Sequence, residues 1–100
     1  MAIVEFTIVP LGTGSTSLST YVAACEKELR DNSAGLHYEL TAMGTIIEGD
    51  LDQILKLIRH LHEIPFHEGA GRVSTSIKID DRRDKESSIA QKIKSVKEKL

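Results

Sequence analysis

The chain has 100 residues, room for one domain and not for two. Thirteen Lys and Arg against 15 Asp and Glu leave a formal net charge of −2, which argues against a dedicated nucleic-acid binder with its basic excess. The apolar runs are too short to span a membrane, Met1 to Glu5 shows no signal-peptide pattern, and the lone Cys25 excludes an internal disulfide framework and fits a reducing, cytoplasmic setting.

From Ala2 to Val9 the chain alternates, with Val4, Phe6 and Ile8 on one face and Glu5 and Thr7 on the other. This predicts a strand with one buried face, which Pro10, lacking an N–H, is expected to close. Leu11 to Ser17 reads as a hydroxyl-rich loop, in which Ser15, Thr16 or Ser17 can cap the helix that follows. Leu18, Tyr21, Val22, Cys25 and Leu29 form that helix's apolar stripe, and Asp31 to Gly35 is turn chemistry that ends it. Leu36, Tyr38 and Leu40 alternate with His37, Glu39 and Thr41; Met43-Gly44 offers a tight turn, with Gly44 able to take a positive φ, and Thr45 to Glu48 runs back as a hairpin.

Asp50, with Gln53 three residues on, resembles a capping box and opens a second helix. Its inward stripe is expected to be Leu51, Ile54, Leu55, Ile58, Leu61 and His62, and Pro65 is expected to stop it. Arg72 to Asp80 alternates again, with Val73, Thr75, Ile77 and Ile79 facing one way. After the charged connection Asp81 to Lys85, a last helix carries a narrow stripe of Ile89, Ile93, Val96 and Leu100, suited to one limited contact within or between subunits. The order β-α-β-β-α-β with an added C-terminal helix predicts an α+β domain over residues 1–100, with a ferredoxin-like antiparallel sheet covered on one face by two helices. The other face would carry Glu5, Thr7, His37, Glu39, Thr41, Ser74, Ser76 and Lys78, with Ile3, Val9 and one of Ile46 or Ile47. Such a mixed face is expected to pack on another subunit, the alternative being a solvated sheet face in a monomer.

No constellation identifies an enzyme. Gly12-x-Gly14 lacks the lysine of a P-loop and the third glycine of a dinucleotide fingerprint, so it reads as a capped turn whose hydroxyls satisfy orphan donors; as a binding loop instead, its hydroxyls would serve a polar small molecule. His60 and His62 stand roughly 200° apart around a helix and cannot chelate one ion, and His67 adds no zinc-protease pattern, so neither metal nor cofactor is expected. Cys25 reads as a small buried hydrophobe. The charges of Asp80 to Lys85 nearly cancel and read as ion pairs, with Arg82 or Arg83 able to clamp a carboxylate or phosphate. The hairpin is the most suggestive stretch, gathering Tyr38, Glu39, Thr41, Met43 and Thr45 near one turn. An aromatic ring, a soft sulfur and a carboxylate together suit a flat cationic heteroaromatic ligand, against the plainer reading of an ordinary hairpin whose methionine fills a gap.

Three segments carry a resemblance: Val9 to Ser19 with its PLGTG run, Tyr38 to Thr45 with its MGT turn, and Arg72 to Asp84 with IKIDDRRD. Over essentially the whole chain the sequence resembles the small thiamine-binding protein family, related to the YkoF-like proteins. The resemblance implies a ferredoxin-like fold, dimers built through their sheets and from them tetramers. It also implies non-catalytic binding of thiamine or its hydroxymethylpyrimidine part by a cytoplasmic carrier, store or sensor. Carried onto this chain, the ligand-binding residues would be Thr13, Ser15, Ser17, Tyr38, Glu39, Thr41, Met43 and Thr45, with Glu48 a further carboxylate for the thiazolium. The competing expectation is a structural or regulatory homo-oligomer that contacts a protein partner and takes no small molecule.

Overall fold

In the computed structural model, which describes residues 1–14 and 18–100, the alternating segments assemble into one four-stranded antiparallel sheet. The elements are β1 (Ala2–Leu11), α1 (Ser19–Asn32), β2 (His37–Leu40), β3 (Thr45–Gly49), α2 (Leu51–His67), β4 (Arg72–Asp81) and α3 (Ile89–Glu98). The strand order is β2-β3-β1-β4. Val4 stands opposite Ile47 on one side and Ile79 on the other, and Phe6 opposite Thr45 and Ile77, so these side chains share a face. On that face Val4, Phe6 and Ile47 meet Ile54, Leu57, Ile58 and Leu61 of α2 and Leu29 of α1 to make the core. Ile47 is the buried member of its pair, which leaves Ile46 on the outer face.

Both prolines behave differently from the sequence expectation. Pro10 does not close β1; the strand runs on to Leu11, with Pro10 paired opposite Val73. The pairing with β3 ends at Phe6–Thr45, so from Thr7 onward β4 is the one strand paired with β1 among the described residues. A missing N–H is tolerated where a strand has a free edge. Pro65 does not stop α2, which continues to His67. Its ring withholds the N–H that Leu61 O would receive in an unbroken helix. That carbonyl instead accepts the thiol of Cys25, with Sγ 3.9 Å away.

The caps follow the same mixture. Asp50 accepts the N–H of Gln53 at 3.1 Å, as its position predicts. The N-cap of α1 is Leu18, with no side-chain cap bond; the expected caps Ser15, Thr16 and Ser17 lie outside the described residues. The buried stripe of α2 also takes in Leu57 and Ile64, while Leu51 and Leu55 are half-buried. His62 is half-buried too, its Nδ1 2.7 Å from Thr75 Oγ1 on β4.

Gly44 is not left-handed. Glycine is needed there for close approach: a Cβ would lie 2.9 Å from Thr7 Cγ2 and 3.0 Å from Phe6 O. α3 meets the outer face of the sheet, where the Ile89 N–H donates to Glu48 Oε2 at 2.7 Å and Lys92 pairs with Asp80. Of its apolar stripe only Ile89 is buried, while Ile93, Val96 and Leu100 remain exposed.

Candidate functional site

α1 packs chiefly on α2 and little on the sheet. The space it leaves is a cavity of about 270 Å³, bounded by α1, the far half of β1 and the connection between β2 and β3. Leu18, Val22 and Glu26 line it at four-residue spacing, which places them on one stripe along the helix. Phe6, Thr7, Ile8 and Val9 line it consecutively, so the wall opposite is the edge of β1 with its backbone, beyond the point where β3 departs.

The third wall is the Thr41–Gly44 turn, and one hydroxyl holds it together. Thr41 Oγ1 donates to Gly44 O at 2.8 Å and accepts the N–H groups of Met43 at 3.2 Å and Gly44 at 3.1 Å. The Thr41 N–H also donates to Gly44 O at 2.8 Å. This is the self-bonding typical of hydroxyl residues in turns. Met43, at the rim, is 84% exposed. Thr45, by contrast, is buried on the cavity floor.

Among the described lining residues Glu26 is the one with a charged side chain. Cys25 also lines the cavity, but burial pushes its thiol up to about 11, so it stays protonated and unreactive near neutral pH.

Of the eight residues the sequence reading nominates, Thr41, Met43 and Thr45 are brought together around this cavity. Tyr38 lies one register step away, half-buried against the core, and does not line it. Glu39 follows Tyr38 in the strand and therefore points to the opposite face, where its Oε1 is 3.4 Å from His37 Nε2 and a shallow groove joins it to Lys94 and Lys97 of α3. Thr13 is half-buried in the loop after β1, away from the lining, and Ser15 and Ser17 lie outside the described residues. Glu48 is engaged with α3. Glu26 was the residue missed. Its signal was available: a carboxylate on an otherwise apolar i, i+4, i+8 row beginning at Leu18.

The other candidates are committed elsewhere. Arg82 holds Asp84 through two bonds, of 2.6 and 2.9 Å, and keeps that carboxyl down at about 2. Arg83 donates from Nε and Nη2 to the single oxygen Oδ2 of Asp81 and lowers its pKa. His60 pairs with Glu28 at 3.0 Å. Among the described residues no group of three or more His, Cys, Asp or Glu could hold a metal ion, and no helix is long and apolar enough to cross a membrane.

Comparison with known proteins places this geometry in context. The family model described as "Thiamine-binding protein" matches residues 4–97. A UPF0045 protein of Bacillus subtilis is 46% identical over 102 residues, covering 100% of this chain and 98% of its own. A crystal structure of a Methanocaldococcus jannaschii protein of undefined function is 40% identical and superposes with a TM-score of 0.84 over 97% of this chain and 96% of that one. A Thermotoga maritima protein named provisionally for thiamine biosynthesis or salvage shares the fold, with a TM-score of 0.76 at 20% identity over 95% of this chain and 97% of its own.

Proposed function

The chain belongs to the thiamine-binding protein family, and on that premise we propose that it binds thiamine, or the hydroxymethylpyrimidine part of it, without turning it over. The observation that carries the reading is the cavity between α1 and the β2–β3 turn. At about 270 Å³ it stands just below the usual range for small-molecule pockets, roughly 300–1,000 Å³, and so suits a compact ligand. Its apolar walls suit flat rings. Main-chain groups on the β1 edge and the hydroxyl of Thr45 suit an aminopyrimidine, which presents a donor beside an acceptor. The sulfur of Met43 and the carboxylate of Glu26 suit a cationic thiazolium.

Binding without chemistry is supported by the protonated state of Cys25 and by the bonds that already occupy the Thr41 hydroxyl. The strand order β2-β3-β1-β4 with α1 and α2 on one side is in keeping with a ferredoxin-like fold. We assign the protein the role of a cytoplasmic carrier, store or sensor. The exposed Ile93 and Val96 on α3 favour self-association into dimers and tetramers, and they equally favour the second reading, a homo-oligomer that contacts a protein partner and takes no ligand.

Calorimetric titration with thiamine and with hydroxymethylpyrimidine separates the two. The ligand reading expects saturable heat that disappears when the cavity is filled by Thr45→Phe. Absence of heat at millimolar ligand would leave only the oligomer.

A further inference from the structure

We infer that Glu26 is the specificity-determining residue of the cavity, and that it selects a heteroaromatic cation carrying no phosphate over both the neutral pyrimidine alcohol and phosphate esters. The inference rests on the ligand reading given above and adds to it which chemical form is taken.

The argument is one of charge in a confined space. Lining the cavity, among the described residues, are aliphatic side chains, the ring of Phe6, the hydroxyls of Thr41 and Thr45, a thiol that stays protonated, one thioether and one carboxylate. No lysine, arginine or histidine among them faces the interior. Arg82 and Arg83, the guanidiniums that could clamp a phosphate, are paired in the connection after β4 and form no part of the lining. A phosphate ester entering here would bring negative charge toward Glu26 with no described cation to meet it, and like charges in a partly desolvated site repel strongly. A quaternary thiazolium brings a fixed positive charge that does not depend on pH. Glu26 is half-buried, so its attraction for that charge is less screened by water than at an exposed position. The hydroxymethylpyrimidine alone carries no such charge and gains nothing from the carboxylate.

The test measures dissociation constants of thiamine, hydroxymethylpyrimidine and thiamine monophosphate for the wild-type chain, Glu26→Gln and Glu26→Asp. Wild type is expected to bind thiamine at least tenfold more tightly than the monophosphate. Glu26→Gln is expected to weaken thiamine about tenfold, change hydroxymethylpyrimidine less than twofold and bring the monophosphate close to thiamine. Glu26→Asp, which keeps the charge, is expected to keep the order of preference. Equal losses for thiamine and hydroxymethylpyrimidine in Glu26→Gln would overturn the inference, as would a wild-type chain that binds the monophosphate as well as thiamine; either result leaves the ligand reading standing. A wild-type chain that binds none of the three overturns the ligand reading itself and the inference with it. Circular dichroism melts of both variants confirm that folding is not the variable.

Discussion

The two long helices do opposite work. α2 buries Ile54, Leu57, Ile58, Leu61, Ile64 and Pro65 and opens on a side-chain cap at Asp50. α1, only three residues shorter, buries Leu29 alone, and its N-cap Leu18 makes no side-chain cap bond. Each large aliphatic side chain fully withdrawn from water contributes about 1.5–3 kcal/mol, so α2 supplies most of what holds the helices to the sheet. The difference teaches how a domain of 100 residues can hold a cavity beside its one small core. One helix is buried along most of its length, and the other is propped on the first and stands away from the strands.

Removing core volume breaks the contrast most directly. Ile58→Ala, in the packed helix, is expected to cost about 2–5 kcal/mol of stability in urea denaturation, whereas Val22→Ala, on the cavity stripe and 46% exposed, is expected to cost less than about 1 kcal/mol. Equal losses would mean that α1 carries the core as fully as α2 does. A smaller effect comes from the cap: Asp50→Ala is expected to lower stability by about 1 kcal/mol in the same assay, with α1 unaffected in hydrogen exchange. A pH effect arises at the point where the helices touch. The Cys25 thiol has its pKa raised from 9.0 to about 11 on folding, because burial disfavours the thiolate. Its contribution is fully present below pH 9 and is lost as the pH climbs toward 11. The wild-type chain is therefore expected to lose more stability than Cys25→Ala between those limits, and iodoacetamide is expected to label Cys25 slowly at pH 8.

The sequence made the helix–strand order readable because that order is written in local periodicity: two-residue alternation in β1 and β4, and the Asp50–Gln53 spacing at the start of α2. The prolines were misread because the cost of each depends on distant partners. Whether Pro10 ends β1 depends on where β3 stops pairing, and the carbonyl that Pro65 deprives of its helical donor is met by a thiol 36 residues from Leu61. The site was half legible for a similar reason. Thr41, Met43 and Thr45 gather through a local turn. Glu39 was drawn in by its nearness in sequence, although the strand period turns it to the other face from Tyr38. Glu26 went unnoticed because Leu18, Val22 and Leu29 read as a stripe that packs on the sheet. A helix standing off the strands turns a charged residue on such a stripe from an anomaly into a lining group.

Between Thr7 and Leu11, β1 presents a strand edge that β3 has abandoned. An uncovered edge is a template on which another chain can extend the sheet, and polymerisation by that route is a standing hazard for β-containing domains. Pro10 interrupts the row of donors that such an intruding strand would need, and the Thr41–Gly44 turn, pressed against Phe6 and Thr7 by Gly44, covers the near end. The residue that looks in the sequence like a stop signal for a strand thus serves as a guard. On the ligand reading proposed above, that edge is left to a small molecule and denied to a neighbouring chain.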